Sequence, residues 1–246
     1  MSCSVSDTDR EAFIEERLTT SSDSIYKHVA LVLVGGPGSG KSFIKNKTLE
    51  KLNMPVEEFV NIDPDEILTK LFLNDNNCRS KVNEINDFIY ERAIDEKKNI
   101  IFDGTGKDFE WYSENVLKRL TVAGYSVNLA ISISNVDAVL KRIRDRATLT
   151  GRDVSEDYTR HVYDSLKNAI PQYVSLDCNY VNTRIFVFDN TDELKLIFQT
   201  HCDGSKKTIE CIGDICKIDE KISGGKHKSR RKKNKKSHKK TNRRRH

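Results

Sequence analysis

Residues 28–42 read HVALVLVGGPGSGKS, and this stretch decides the fold. The run from His28 to Val34 is mainly apolar, which is typical of a strand that is buried on both faces of a parallel sheet. The next eight residues, GGPGSGKS, match the whole GxxxxGK[ST] motif of phosphate-binding loops. A buried strand, this loop and a helix to about Leu52 together predict a P-loop.

The residue types of this loop suit a nucleotide. Glycines let backbone N–H groups turn inward around phosphates, and the helix that begins near Gly40 adds its positive N-terminal end. Lys41 is expected to contact the β- and γ-phosphates, and the Ser42 hydroxyl is expected to hold Mg²⁺. The sequence therefore predicts ATP and Mg²⁺ as cofactors. The predicted ATP-binding residues are Gly35, Gly36, Pro37, Gly38, Ser39, Gly40, Lys41 and Ser42.

Strand and helix patterns alternate along the rest of the chain. Further strands are predicted at residues 59–62, 98–102, 126–132 and 184–188, with helical patterns between them. Such alternation implies an α/β fold of the P-loop NTPase type, a parallel sheet with helices on both faces. After residue 192 the pattern weakens, and residues 194–200 and 208–212 fit either a helix and a strand or a terminal hairpin.

Charge divides the chain into parts. Residues 226–246 contain thirteen Lys or Arg and no Asp or Glu, whereas residues 1–225 have a net charge of −8. We expect a polar segment at 1–24, a P-loop domain at 25–222 and a disordered polybasic tail at 223–246, because the tail lacks apolar residues for a core. The favoured role for the tail is non-specific contact with nucleic-acid phosphates. The alternatives are a nuclear-import address and a solubilising arm.

The cysteines and the hydropathy indicate the compartment. Six cysteines form no CxxC pair, and a chain of this size does not need disulfides to fold. Cys202, Cys211 and Cys216 are a weak candidate for a metal site or a disulfide. The N-terminus is polar and no apolar run approaches the roughly 20 residues of a transmembrane helix. We therefore expect an intracellular, cytoplasmic protein with no membrane partner.

An acidic segment, NIDPDE, follows the second predicted strand at residues 61–66. In one interpretation it only starts a helix, with Asp63 as the N-cap, Pro64 at the first helical position and Glu66 completing a capping box. In the other, Asp63 is the cap and Asp65 is a general base that accepts the proton of a substrate hydroxyl. The second interpretation uses the rule that strand ends in a parallel sheet face the ligand crevice.

The third predicted strand ends in FDGTG at residues 102–106. Apolar residues followed by Asp103 resemble a Walker B element, in which the carboxylate holds Mg²⁺. The alternative is a tight strand-to-helix turn. In the helix predicted from residue 136 to about residue 148, Arg142 and Arg146 share one face, and Arg144 points elsewhere. The shared pair suits stabilisation of γ-phosphate charge, although a solvated basic face is the alternative.

The order of LVGGPGSGKS, NIDPDE, FDGTGK, an arginine pair and GRDV resembles the zeta-toxin family of P-loop kinases over about residues 29–192. The resemblance implies a small-molecule kinase, and bacterial toxins of the family phosphorylate the amino sugar of UDP-N-acetylglucosamine. It assigns the general base to Asp65 and substrate contact to Asp103 and Thr105. The predicted substrate-binding residues are Asp63, Asp65, Asp103 and Thr105. In the bacterial toxins a glutamate stands where this chain has Asp103.

The resemblance also assigns two arginines to the ATP phosphates. By position these are Arg142 and Arg152, with Arg146 as a competitor. The function expected first is phosphorylation of a hydroxyl on a sugar nucleotide or related small metabolite. A polynucleotide 5′-hydroxyl kinase is the second possibility, because its loop, base and arginines would look alike. A non-catalytic ATP-binding protein is the third.

Overall fold

The computed structural model describes residues 3–19, 28–150 and 154–211, so Arg152 and the polybasic tail lie outside the described residues. The strands are β1 (Val29–Val34), β2 (Phe59–Ile62), β3 (Asn99–Gly104), β4 (Ser126–Ile133), β5 (Arg184–Asp189), β6 (Lys195–Asp203) and β7 (Lys206–Cys211). The helices are α1 (Asp7–Leu18), α2 (Lys41–Leu52), α3 (Pro64–Phe72), α4 (Arg79–Asp95), α5 (Phe109–Tyr112), α6 (Arg119–Val122), α7 (Val136–Thr150) and α8 (Glu156–Ser175). A π-helical segment, Ser113–Lys118, joins α5 to α6.

The strands form one sheet in the order β2-β3-β1-β4-β5-β6-β7. The first five in this order are parallel, and β6 and β7 add an antiparallel hairpin. The predicted α/β fold is confirmed, and of the two alternatives for the last segment the hairpin is the one that forms. Since β1 is central, the loop after it lies between the ends of β3 and β4, where parallel α/β sheets bind ligands.

Both faces of the sheet are buried, as the apolar run in β1 predicts. Val32 and Val34 belong to a large core with α1, α3, α4 and α8, whereas Leu31 and Leu33 belong to a core with α2. Side chains alternate between faces along a strand, so this split follows directly from the sequence. It fixes the register that brings Leu33 beside Asp103 of β3.

The N-terminal helix packs into the core. It lies in the segment that was expected to be polar, but α1 buries Phe13, Ile14 and Leu18. The Arg17 guanidinium donates a hydrogen bond to the Glu66 carboxylate of α3 at 2.5 Å. The helix therefore packs against the segment that holds the predicted base. Within the described part of the chain, no helix is long and apolar enough to cross a membrane.

The described residues contain two disulfides, which corrects the expectation that this chain folds without them. Cys3 is bonded to Cys78, and Cys178 to Cys202. The predicted grouping of Cys202 with Cys211 and Cys216 is therefore wrong for Cys202. The first disulfide fastens the residues before α1 to the turn before α4. Neither pair has a short spacing in sequence, which is why the sequence alone does not reveal them.

Reducing the Cys3–Cys78 disulfide is expected to lower the free energy of unfolding by about 2–4 kcal/mol, because the intact disulfide closes a long loop and so restricts the unfolded chain. The two cysteines are 75 residues apart, against 24 for Cys178 and Cys202. Urea unfolding of the wild type and of Cys3→Ser, each with and without reductant, measures the effect. A wild type with equal stability in both conditions would contradict the prediction, and Cys178→Ser is the control with the shorter loop.

Candidate active site

The loop between β1 and α2 has the backbone of a phosphate cradle. Gly38 and Gly40 have φ values of 69° and 86°, in the left-handed region that favours glycine. A Cβ atom on Gly40 would lie 2.1 Å from Nδ2 of Asn190, so only glycine fits there. The first N–H groups of α2 have no acceptor within the helix, and they are available to an anion. This cradle fits the phosphates of ATP.

Three side chains that the sequence analysis missed hold the loop in place. The Ser39 carbonyl accepts hydrogen bonds from Ser132 Oγ at 2.7 Å and Asn190 Nδ2 at 2.8 Å. The Tyr163 hydroxyl donates to the Pro37 carbonyl at 3.3 Å. Ser132 and Asn190 lie at the carboxyl ends of β4 and β5. A polar residue at the end of a buried strand on the ligand side of the sheet was the available signal.

Lys41 and Asp103 meet beside the loop. The Lys41 ammonium donates to the Gly35 carbonyl at 3.0 Å and lies 3.7 Å from Asp103 Oδ1. Burial raises the pKa of Asp103, and the positive charges of Lys41 and Lys45 oppose that rise. The Gly35 N–H also donates to the Thr105 carbonyl at 3.1 Å, so the predicted substrate-binding turn touches the P-loop.

Asp63 and Asp65 have different environments although they are two residues apart. Asp63 is the N-cap of α3, and its Oδ1 accepts from the Asp65 N–H at 2.9 Å. Glu66 pairs with Arg17. The Asp65 carboxylate lies outside the cap and pairs with Arg79 at 2.8 Å. Capping therefore accounts for the Asp63 carboxylate and does not account for the Asp65 carboxylate.

The site concentrates negative charge. Burial, followed by the charges of Asp103 and Asp65, raises the pKa of Asp63 to about 6. The Lys41 ammonium also acts on Asp63, in the opposite direction. Three carboxylates and Lys41 are thus within electrostatic reach of one another. Such a group favours a cation or a proton at neutral pH.

Asp63→Asn is expected to stabilise the fold at neutral pH by about 1–3 kcal/mol, because Asn caps a helix as well as Asp does and carries no charge. The folded wild type keeps the Asp63 proton up to about pH 6, whereas the unfolded chain releases it near its ordinary pKa of 3.8. The wild-type free energy of unfolding should therefore fall as pH rises between these values, and the variant should lack that fall. Urea unfolding across this pH range measures it, and a variant that is destabilised with the wild-type slope would contradict it.

The predicted metal ligands are compatible with Mg²⁺. Asp103 supplies a carboxylate and Ser42, the second residue of α2, supplies an exposed hydroxyl. Mg²⁺ prefers oxygen ligands and usually keeps waters and phosphates with only one or two carboxylates. Among the described residues, no three His, Cys, Asp or Glu side chains form a metal cluster by themselves. The donors fit a metal that is held together with a nucleotide.

The predicted arginines of α7 differ in exposure. Arg142 is partly buried, and it donates to the Thr191 carbonyl at 2.7 Å and the Gly38 carbonyl at 3.5 Å. Arg146 is also partly buried. The Arg144 side chain is 68% exposed and lies 3.9 Å from Glu156. Arg142 thus contacts the P-loop through the Gly38 carbonyl, and Arg152, the other predicted partner of the phosphates, lies outside the described residues.

Arg142→Ala is expected to lower kcat more than it weakens ATP binding, because an arginine at the loop stabilises charge that develops during transfer. The expected loss is about 10²-fold, the lower end for one such donor. Steady-state kinetics and ATP titration of the same preparation separate the two effects. Arg144→Ala is the matched control on the same helix, and equal damage from both variants would contradict the assignment.

A further cavity of about 390 Å³ lies between the start of α5 and α8. Its lining includes Lys107, Phe109, His161 and Gln172, and none of the P-loop residues. The carboxylates next to Lys41 are also absent from its wall. We therefore assign the candidate active site to the edge of the sheet at the P-loop and not to this cavity.

The fold and this edge of the sheet define a P-loop protein of the kinase type. The family model described as Zeta toxin matches residues 14–201, and the chain belongs to the zeta-toxin family. No curated protein matches the sequence. The match covers the P-loop, both acidic segments and the arginines of α7, so the recognition made from the motifs is confirmed.

Solved structures agree with the fold. A chain from the PezAT chromosomal toxin–antitoxin system of Streptococcus pneumoniae superimposes with a TM-score of 0.62 at 14% identity, covering 81% of this chain and 84% of that one. The AvrRxo1-ORF1:-ORF2 complex with ATP gives a TM-score of 0.61 at 12% identity, covering 87% and 71%. The same complex with sulphate ions also gives 0.61, at 13% identity and the same coverages. At these identities the likeness concerns the fold.

Proposed function

We propose that this protein is an ATP-dependent kinase that transfers the γ-phosphate to a hydroxyl group of a sugar nucleotide or a related small metabolite. The observation that carries the proposal is the grouping of Asp63, Asp65 and Asp103 with Lys41 at the P-loop. A protein that only binds ATP needs the loop and the lysine. It does not need an accessible carboxylate next to them, and phosphoryl transfer to a hydroxyl does.

The protein's own groups have separate roles in this proposal. The N–H groups of the P-loop and the Lys41 ammonium bind the phosphates of the nucleotide, and Ser42 and Asp103 hold Mg²⁺. The metal, when bound, neutralises charge on the phosphates during transfer. Arg142 approaches the loop from α7 and stabilises the transferred group. Arg146 and Arg152 remain candidates for the same task.

Asp65 is the proposed general base. It lies in the first turn of α3 with its carboxylate 42% exposed, so an acceptor can reach it from solvent. The acceptor O–H proton passes to Asp65 while the hydroxyl oxygen forms a bond to the γ-phosphorus. The bond between that phosphorus and the bridging oxygen breaks, and ADP leaves with the electron pair. Asp63 fixes the backbone of Asp65 through the cap hydrogen bond.

The acceptor class rests on the family and on the acidic turn. Members of the zeta-toxin family act on an amino-sugar nucleotide, and this chain has Asp103 and Thr105 where the family contacts its substrate. Asp103 is one carbon shorter than the glutamate of the bacterial toxins, which changes the reach of the carboxylate. A sugar nucleotide is therefore the first acceptor to test, together with smaller hydroxyl metabolites.

One experiment tests the proposal and its alternatives. The protein is incubated with γ-labelled ATP and Mg²⁺ and offered UDP-sugars, nucleosides and 5′-hydroxyl oligonucleotides in parallel. Label on a UDP-sugar or another small hydroxyl compound, absent with Lys41→Ala, supports the proposal. Label on the oligonucleotides alone would make the protein a polynucleotide kinase, and ATP binding without label on any acceptor would make it a non-catalytic ATP-binding protein.

A further inference from the structure

The predicted base has a partner that the motifs did not reveal. Arg79 is the first residue of α4, and its Nη1 donates to Asp65 Oδ1 at 2.8 Å. The two side chains are 44% and 42% exposed. An ion pair that is this exposed contributes little to folding, since water screens it. The pair is therefore free to exchange when a ligand arrives, and it lies where an acceptor must approach Asp65.

The chain holds Arg79 next to the base. Its Nε donates to Asn76 Oδ1 at 3.2 Å, and the preceding residue, Cys78, is joined by a disulfide to the N-terminal segment. The connection from α3 passes through Leu73 and Asn74, with φ values of 49° and 65°. Leu73 is the left-handed C-cap that ends α3, and asparagine adopts this conformation readily, so the chain turns sharply towards α4 here. The position of Arg79 is thus imposed by its own short connection.

This pair has a consequence for catalysis. A guanidinium on Asp65 Oδ1 competes with the acceptor proton for the carboxylate, so Asp65 is a poor base while the pair is intact. An uncharged hydroxyl compound has nothing that attracts Arg79 away. A phosphate does, because guanidinium groups bind phosphate oxygens in a paired, charge-assisted geometry. Nη2 of Arg79 makes no hydrogen bond within the described part of the chain, so it can meet such a group first.

The negative charge of the site also requires a cation to bind an anionic acceptor. Asp63, Asp65 and Asp103 are all acidic, and bound ATP adds more negative charge. An acceptor with a phosphate of its own is repelled there unless a cation receives it. Lys41 faces Gly35 and Asp103, and its charge is committed to the nucleotide side. Arg79, which is in contact with the base, is a cation among the described residues that can receive such an acceptor.

We propose that Arg79 recognises the acceptor through a phosphate or diphosphate group near the reacting hydroxyl, and that this contact releases Asp65 to take the hydroxyl proton. The inference rests on the proposed function and narrows its substrate class to anionic acceptors. Without an acceptor, Arg79 keeps Asp65 occupied and so limits the activation of water and the hydrolysis of ATP. Arg79 is in this sense a specificity-determining residue.

Arg79→Gln tests the proposal, with Arg119→Gln as the matched control. Arg119 pairs with Glu91, and these side chains are 43% and 43% exposed, so the control removes an equivalent ion pair away from the P-loop. The acceptors are UDP-N-acetylglucosamine, which carries a diphosphate, and N-acetylglucosamine, which does not. For Arg79→Gln we expect the KM for the UDP-sugar to rise about 10- to 100-fold, with the KM for ATP unchanged. Use of the neutral sugar should not fall, and the control should match the wild type.

Hydrolysis of ATP without an acceptor is the second measurement. It should rise several-fold in Arg79→Gln and return to the wild-type rate or below in Arg79→Gln/Asp65→Asn, because the released carboxylate is the base. Wild-type values for both the KM and the hydrolysis would overturn the inference. Parallel losses of both activities with a lowered melting temperature, restored by Arg79→Lys, would assign Arg79 a structural role and also overturn it. If the wild type labels no acceptor, the proposed function fails, and the hydrolysis rates still decide whether Arg79 restrains Asp65.

Discussion

Lys41→Ala is expected to abolish detectable phosphoryl transfer while the protein remains folded. The Lys41 ammonium lies between the Gly35 carbonyl and Asp103, at the point where the β- and γ-phosphates are expected. Removing one preorganised charge or donor from a transition state typically lowers kcat about 10²–10³-fold. Transfer from γ-labelled ATP measures the loss. Unchanged turnover would refute the assignment of this loop to catalysis.

Removing Lys41 also leaves Asp103 without its nearest cation, and this has a testable signature in stability. Lys41 holds the pKa of the buried Asp103 below the value that burial alone would give. With a higher folded pKa the native state retains the proton longer, so the variant should lose more stability at about pH 8 than at about pH 5. Lys47→Ala is the control on the same helix, because Lys47 is exposed and pairs with Glu50. A pH-independent loss in Lys41→Ala would show that the ammonium does not act on Asp103.

The parallel sheet and the P-loop were predictable because a buried parallel strand leaves an unmistakable apolar run. The predicted strands at 59–62, 98–102, 126–132 and 184–188 all form, with boundaries shifted by two residues or fewer. The carboxyl ends of parallel strands lie at the same edge of the sheet. The sequence alone therefore predicts that the acidic segments after β2 and β3 lie at the same edge. For the last segment the sequence did not decide between a hairpin and a helix followed by a strand, because the apolar patterns there are short. Pairing of β6 with β5 decides for the hairpin.

Contacts between distant side chains were not predictable. Asp65 and Arg79 are fourteen positions apart and on different helices, and a charged residue at the start of a polar helix looks like ordinary solvated surface. The packing of α3 against α4 creates that pair. The disulfide between Cys3 and Cys78 depends in the same way on where α1 packs. The residues proposed to bind a ligand are therefore visible in the sequence, and their contacts with residues far along the chain are not.

Asp65→Asn is expected to lower kcat by about 10²–10⁴-fold, the usual contribution of a general base. Asparagine keeps the size and the helix-start compatibility of aspartate but cannot accept the proton. The affinity for ATP should change little, because the Asp65 carboxylate pairs with Arg79 and does not belong to the P-loop. Loss of the exposed Asp65–Arg79 pair should cost only about 0–1 kcal/mol of stability. Single-turnover kinetics with saturating ATP measures the chemical step directly.

Asp63→Asn is the internal comparison for Asp65→Asn, because the two residues belong to the same helix start and differ in what their carboxylates touch. Asp63 Oδ1 accepts a hydrogen bond from the Asp65 N–H, and the side-chain oxygen of asparagine can accept the same bond. Its substitution should therefore leave kcat nearly unchanged while raising stability at neutral pH. Equal and small effects of the two variants on kcat would mean that this segment only caps a helix. A large loss confined to Asp65→Asn would separate the base from the cap that positions it.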